Sequence, residues 1–322
     1  RLDHKVPAAT HLATARLDDD AFNTYDVLQS LLKADMLAIA YDGKDAPDAD
    51  LIAAMAEAVR SAEDDPAYAA LLTRVPELGE LFLEHVPVDP AALDSARRQV
   101  QQALARALRS HAIAILAQPS PAPFDPGAGQ AGTRSLRSAL IGLLAALRDA
   151  DAIDTLERLF TSAPNMTESL ASLRGLCTAD APQKANAIAQ FAKRWASNPL
   201  VMDKWFAVQA ATGDAAACQA LSRHPDFDLG NPNRVRSVIA VFAMQNLAAF
   251  HARDGAGHRL VADIIAQADT RNPALAARLL QAFEHWKTLE PTARDSACQA
   301  LEGLRQRDLS KNAADIVSRT LA

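Results

Sequence analysis

The sequence has few cysteines, few aromatic residues and no long apolar run, and each shortage excludes a class of protein. Cysteine occurs only at Cys177, Cys218 and Cys298, and aromatic residues make up 5% of the chain. Three widely separated thiols form neither a disulfide framework nor a close pair for a metal or redox site, so we expect a reducing compartment, the cytoplasm. No apolar stretch approaches the roughly 20 residues that cross a bilayer, so no membrane partner is predicted.

An excess of basic residues is also missing. The formal net charge is −6 and the pI is about 5.8. A nucleic-acid-binding domain needs a positive face that neutralises phosphates. The composition therefore predicts no nucleic-acid partner.

Familiar catalytic motifs are absent as well. None of the eight histidines stands in a His-Glu-x-x-His pattern, which gives a zinc hydrolase two ligands and a base on one helix face. The glycines of "DGAGH", residues 254–258, predict a turn before a helix rather than a phosphate-binding loop. No serine lies in a Gly-x-Ser-x-Gly elbow, and the cysteines lie in apolar helical patterns typical of inert thiols. The residues alone therefore predict no catalytic group, metal or cofactor in this chain.

What the sequence does contain is a nearly continuous helical pattern. Alanine and leucine, with arginine, glutamate and glutamine, are good helix formers, and β-branched runs are scarce. Apolar residues recur at spacings of three and four from Phe22 to Ile39, which predicts one amphipathic helix. The same pattern predicts helices at 50–62, 91–116, 134–148, 166–177, 184–195, 200–210, 234–243, 258–268, 274–283, 292–304 and 310–321. The expected fold class is all-α.

One segment interrupts this pattern. "QPSPAPFDPGAGQAG", residues 118–132, contains four prolines and three glycines, which we expect to exclude a helix. We interpret it as a long ordered or partly mobile connection and as a candidate subdomain boundary.

An Asn-Pro pair opens three of the predicted helices. The pairs begin at Asn198, Asn231 and Asn272, at intervals of 33 and 41 residues. Asparagine caps a helix through its side-chain oxygen, and proline suits the first helical position. Such intervals are typical of helical-hairpin repeats, so the pattern predicts a superhelical stack of antiparallel helix pairs of the armadillo or HEAT kind.

The first of these helices carries a strong apolar face. In "NPLVMDKWFAVQA", residues 198–210, Asp203 and Lys204 fall on one side of the helix. The other side carries the residues expected to be buried, namely Val201, Met202, Trp205, Phe206 and Val208.

This segment and its continuation, "NPNRVRSVIAVFAMQNLAAFHARDGAGHRLVADIIAQADTRNPALAARL", resemble the C-terminal helical domain of bacterial aminopeptidase N, a gluzincin-family zinc aminopeptidase. "FNTYDVLQSLL" at 22–32, "AGTRSLR" at 131–137, "NMTESLASL" at 165–173 and the closing "DIVSRTLA" agree in the same order. The resemblance spans nearly the whole chain, although residues 42–130 match only loosely.

The resemblance implies a place for this chain in a larger enzyme. In that family the zinc lies on a separate catalytic domain, which is followed by a β-sandwich and then by the helical domain. Residues 1–11, extended in appearance and beginning with Arg1 rather than Met, are then the tail of the β-sandwich or a linker, and 12–322 are the helical domain. The resemblance implies that the helical domain closes the active-site chamber of a monomeric enzyme, which removes residues from the N-termini of peptides. This chain would wall and gate the chamber while zinc and the catalytic residues lie in the parent enzyme's catalytic domain.

Two residues carry over from the family with a binding role. Arg236 and Arg278 match arginines that face the chamber in the bacterial relatives, where a guanidinium could hold the carboxylate end of a short peptide substrate. Alternatively, the two arginines bridge neighbouring helices or cover helix C-terminal carbonyls. Asp203, Lys204 and Trp205 are expected to be structural.

A second class of function also fits this composition. A free-standing helical-repeat scaffold that binds a protein partner on its concave face would show the same periodicity. A His-Glu-x-x-His segment upstream in the same reading frame would favour the enzyme.

Overall fold

The computed structural model describes residues 7–322, and most of these residues are helical. Helix accounts for 74% of the structure. Within the described residues, β pairing is limited to a single parallel bridge between Val88 and Leu289. The all-α prediction is confirmed.

The chain divides into two compact units, Arg1–Glu77 with Ala92–Ala187, and Leu78–Ala91 with Ile188–Ala322. The helices of the first unit are α1 (Ala8–Leu17), α2 (Ala21–Tyr41), α3 (Ala49–Ser61), α4 (Pro66–Leu72), α5 (Pro90–Ala117, which begins in the second unit), α6 (Ala128–Leu147), α7 (Ala150–Ser162) and α8 (Met166–Thr178). Helix α6 packs against α4, α7 and α8 and buries Leu140, Ile141 and Leu144 among them. This packing forms the centre of the first unit.

The proline-rich connection is shorter than predicted. It spans residues 118–127, and residues 128–132 already belong to α6. Glycine is tolerated in a helix at a cost of about 1 kcal/mol, and Gly132 offsets that cost by allowing close packing. A Cβ at Gly132 would lie 3.0 Å from the backbone nitrogen of Ala67, so the missing side chain lets α6 approach α4. The connection is not a unit boundary either, because both of its flanks belong to the first unit.

A buried ion pair anchors the start of this connection. Arg137 donates to Glu168 Oε2 at 2.9 Å and to the carbonyl of Gln118 at 3.0 Å. Ser120 donates to the other oxygen of Glu168. Burial by itself would raise the pKa of Glu168, but the hydrogen bonds from Arg137 and Ser120 outweigh it and hold this pKa below its ordinary value. The connection is therefore fixed to α6 and α8.

The second unit contains the three Asn-Pro helix starts. Its helices are α9 (Lys184–Trp195, which begins in the first unit), α10 (Pro199–Thr212), α11 (Ala215–Ser222), α12 (Pro232–Val235), α13 (Val241–Gln245), α14 (Leu247–Phe250), α15 (Ala256–Asp269), α16 (Pro273–Leu279), α17 (Pro291–Arg305) and α18 (Lys311–Leu321). Asn198, Asn231 and Asn272 each accept hydrogen bonds from backbone amides of the following turn, so the predicted caps are confirmed. Consecutive helices pack in pairs, as α15 does with α16 and α17 with α18.

The start of the chain differs from its extended appearance. Residues 1–6 of the predicted tail lie outside the described residues, while residues 8–11 are the first turn of α1. The amides of Thr10 and His11 donate to the carbonyl of Pro7, which begins the helix. The alanine-rich sequence after Pro7 is a good helix former, and this propensity explains the difference.

Helix α10 has the orientation that its sequence predicts. Its five predicted apolar residues are all buried, and Lys204 on the opposite side is exposed. Trp205 packs edge-to-face on Phe206 with ring centroids 4.8 Å apart, and its Nε1 donates to the carbonyl of Ile188 at 2.9 Å. Trp205 is therefore a structural residue of the second unit's core.

We expect Trp205→Ala to destabilise the second unit strongly. Removing a buried tryptophan costs about 3 to 5 kcal/mol, which lowers the Tm of a unit of this size by roughly 10 °C. Thermal unfolding followed by far-UV circular dichroism measures the change. Trp195→Ala is the matched control, since Trp195 is only half-buried and should cost less. Equal and small shifts for both variants would contradict the core role of Trp205.

Candidate functional site

Arg236 lies at the first position of an irregular helical turn. Residues Arg236–Ala240, between α12 and α13, form a single π-helical turn, hereafter the π-turn. Such turns occur frequently at functional sites. The Arg236 side chain is exposed, and its Nε donates to the carbonyl of Pro232 at 3.1 Å. Within residues 7–322 its terminal guanidinium nitrogens have no acidic partner, so they are available to an anion.

Arg278 lies in the last turn of α16 and is also exposed. No ion pair joins it to any residue of the described chain. Both predicted site residues thus follow an Asn-Pro start within the second unit, and both present a guanidinium to solvent.

A neighbouring arginine, Arg234, is buried instead. Only 5% of it is exposed. Its Nε donates to Asp203 Oδ1 at 2.6 Å, its Nη1 donates to the carbonyl of Asp226, and its guanidinium lies 4.5 Å from the ring centroid of Phe206. Asp203 is therefore half-buried against Arg234 rather than solvated, because α12 packs against α10.

The sequence motifs do not predict a role for Arg234, although the sequence contains a signal for its burial. Arg234, Val238 and Phe242 recur at a spacing of four and are all buried. A cation in such an apolar row requires a buried acidic partner, because an unpaired buried charge is costly. Asp203, an acidic residue inside an apolar helix, is the partner that this reasoning could have found.

A second polar cluster lies inside the same unit. His251 Nδ1 lies 2.9 Å from His258 Nε2, and His258 Nδ1 lies 3.1 Å from Ser296 Oγ. At the first of these distances one ring donates and the other accepts. Both rings are buried, and His258 is fully inaccessible. The first turn of α15 requires Gly257, since a Cβ at that position would lie 2.3 Å from the carbonyl oxygen of Phe250.

Burial keeps both histidines neutral. It lowers the pKa of His258 to about 4, and the positive charge of Arg259 acts in the same direction while Asp254 opposes it. Burial, with smaller effects of His258 and His285, holds the pKa of His251 well below its ordinary value. The pair is a closed hydrogen-bonded chain in the core rather than an accessible acid or base.

The described residues do not fit a zinc ion. No group of three or more histidine, cysteine, aspartate or glutamate side chains between residues 7 and 322 is arranged to hold a metal. His251 and His258 lie close together, but their facing ring nitrogens already share a hydrogen bond. Burial also raises the pKa of the Cys218 thiol to about 12, which disfavours the thiolate that binds metals. None of the helices in this part of the chain is long and apolar enough to span a membrane.

The helical architecture and the Asn-Pro starts agree with a known family. Residues 8–322 match the family described as a domain of unknown function (DUF3458_C) with ARM repeats. The chain belongs to this family of ARM-repeat domains, which confirms the predicted fold class.

The similar proteins are bacterial aminopeptidases. Aminopeptidase N of Caulobacter vibrioides is 33% identical over 94% of this chain, and aminopeptidase N of Escherichia coli is 31% identical over 80%. The crystal structure of Legionella pneumophila aminopeptidase A in complex with aspartic acid matches 99% of this chain with a TM-score of 0.87 at 25% identity. The predicted resemblance to the helical domain of bacterial aminopeptidase N is confirmed.

These matches cover only part of each relative. The chain spans 36% of the Caulobacter protein, 30% of the Escherichia coli protein and 39% of the Legionella chain. The chain therefore corresponds to one region of these longer relatives.

The buried histidine pair predicts a loss of stability in acid. A histidine with a folded pKa of about 4 and an unfolded pKa of about 6.5 binds a proton more readily in the unfolded chain. Its contribution to stability is therefore complete above pH 6.5 and is lost as the pH falls towards 4. At the steepest point we expect the free energy of unfolding to fall by about 1.4 kcal/mol per pH unit for each such histidine.

Urea unfolding between pH 7.5 and 4.5 checks this expectation. Tryptophan fluorescence reports the second unit selectively, because Trp195, Trp205 and Trp286 all lie there. His258→Gln should flatten the pH dependence, and His11→Gln, in α1 of the first unit, should not. Parallel curves for wild type and His258→Gln would mean that the pair does not control acid stability.

Proposed function

We propose that this chain is the helical domain of a zinc-dependent, cytoplasmic aminopeptidase N, where it forms a wall and gate of the active-site chamber. The family membership and the partial coverage of the relatives support this proposal. Its partners are then the catalytic and β-sandwich domains of the same polypeptide and the peptide substrate. Zinc, bound by the parent outside this chain, supplies activated water for peptide hydrolysis.

The contribution of this chain is substrate binding. Arg236 and Arg278 bind the carboxylate end of short peptides while the peptide's N-terminus lies at the catalytic centre of the parent enzyme. The observation that carries this role is the exposed Arg236 guanidinium, whose Nε is held by Pro232 and whose outer nitrogens lack an acidic partner among the described residues. A planar guanidinium with two outward N–H groups matches a carboxylate in geometry and charge.

The two arginines distinguish peptides from substrates that lack a terminal carboxylate. In the parent enzyme we expect Arg236→Ala or Arg278→Ala to raise KM for trialanine. A charge-assisted hydrogen bond of roughly 1.5 to 3 kcal/mol corresponds to a loss of about ten- to a hundredfold in kcat/KM. Trialanine amide and an alanine arylamide should change little, because neither presents the carboxylate.

Arg271→Ala is the matched control, since Arg271 is an exposed arginine just before the Asn272 cap. It should leave all three substrates unaffected. Equal losses for trialanine and its amide would remove the binding role and leave Arg236 and Arg278 as structural residues.

The isolated chain should not catalyse the reaction. Because its described residues offer no metal-binding cluster, we expect no stoichiometric zinc by elemental analysis and no hydrolysis of leucine arylamide. Zinc at one equivalent, together with turnover that a chelator abolishes, would refute this assignment.

A further inference from the structure

The strongest unexplained feature of the second unit is the ion pair between the buried Arg234 and the half-buried Asp203. The side chain of Arg234 is 7% exposed and that of Asp203 is 18% exposed, with 2.6 Å between Nε and Oδ1. Burying two charges carries a desolvation cost that their attraction only partly offsets, so such a pair is weak evidence for stabilisation alone. Fixing a geometry is the better attested use of a buried pair.

The geometry in question is that of the π-turn. A π-turn is rare, and an unfavourable local conformation persists only where its surroundings enforce it. Arg234 is two residues before the π-turn, and its carbonyl accepts the hydroxyl of Ser237 at 2.8 Å. Its guanidinium is held by Asp203 and Phe206 of α10 and by the carbonyl of Asp226. The residue that leads into the π-turn is therefore anchored at both its side chain and its backbone.

Arg236 lies two residues after this anchored residue. Asn231 caps α12 by accepting from the amides of Asn233 and Arg234, and Arg236 Nε donates to Pro232 in the same short turn. The position of the Arg236 guanidinium thus depends on backbone that Arg234 holds in place.

We propose that Asp203 and Arg234 are positioning residues, which fix the π-turn and thereby set the place and direction of the Arg236 guanidinium toward a peptide carboxylate. This inference rests on the proposed binding role of Arg236. It assigns a purpose to the acidic residue within the apolar segment at 198–210: Asp203 acts on the substrate through Arg234 and Arg236, and it does not touch the substrate itself.

A double-mutant cycle in the parent enzyme tests the inference. Asp203→Asn keeps the side-chain shape and one acceptor oxygen but removes the charge, while Arg234→Lys keeps the charge but loses the planar fork that reaches both acceptors. Each should lower kcat/KM for trialanine severalfold through KM and leave kcat for the arylamide unchanged. In the Arg236→Ala background neither substitution should lower kcat/KM for trialanine further, because the group that they position is gone.

The isolated chain provides an independent readout of position. In ¹⁵N NMR spectra of arginine side chains, Asp203→Asn should shift or broaden the Nε–H signal of Arg236, whose bond to Pro232 depends on the anchored turn. The Nε–H signal of Arg278 is the internal control and should be unchanged. A residue that contributed only to overall stability would lower Tm without a selective effect on Arg236.

The outcomes separate the two proposals. The deciding quantity is kcat/KM for trialanine divided by kcat/KM for trialanine amide. If Arg236→Ala leaves this ratio unchanged, the proposed binding role fails and this inference fails with it. If Arg236→Ala lowers that ratio but Asp203→Asn and Arg234→Lys reduce it equally in both backgrounds, or not at all, only the positioning role is overturned. Positioning is supported if Asp203→Asn and Arg234→Lys lower the ratio in the wild-type background but have no effect on it in the Arg236→Ala background, and if the Arg236 NMR signal shifts selectively.

Discussion

Side-chain capping of helix N-termini is the constraint on which this all-α structure depends. Each helix begins with backbone N–H groups that have no partner within the helix, and short connections multiply such ends. Here most starts are satisfied by a side-chain oxygen of the preceding residue. These capping residues are Asp20, Asp48, Asp65, Asp149, Asn165, Asn198, Asp214, Asn231, Asn272, Glu290 and Ser310. Because the caps fix where helices start, they also fix which residues face the core.

The candidate site follows from one of these caps. Asn231 begins α12, which places Arg234 on the buried side and Arg236 on the exposed side. Two arginines separated by one residue thus have opposite environments, one neutralised by Asp203 and one open to solvent. The apolar helix α10 has two roles. It supplies core side chains to the second unit, and it supplies Arg234 with its partners Asp203 and Phe206.

Local signals in the sequence predict most of the helices. The Asn-Pro starts and the apolar stripes gave the long helices nearly to their ends, because both depend only on neighbours in sequence. Helices α4 and α11 are too short for a clear apolar period, whereas α7, with its Asp149 cap and buried Leu156 and Leu159, could have been predicted by the same reasoning. The π-turn and the hydrogen-bonded chain of His251, His258 and Ser296 could not have been predicted, since each depends on contacts between distant segments.

The π-turn determines how the residues before it are rotated about the helix axis relative to the residues after it. A π-turn is an α-helix with one additional residue, and each residue in an α-helix corresponds to a rotation of about 100°. Deleting one residue from Arg236–Ala240 would restore regular winding, but it would turn α12 by about a quarter turn relative to α13. Arg234 would then leave Phe206 and Asp203, so a chain one residue shorter could keep a better helix and lose its buried ion pair. An insertion that is a defect for the helix is thus what keeps the two neighbouring arginines on their separate sides.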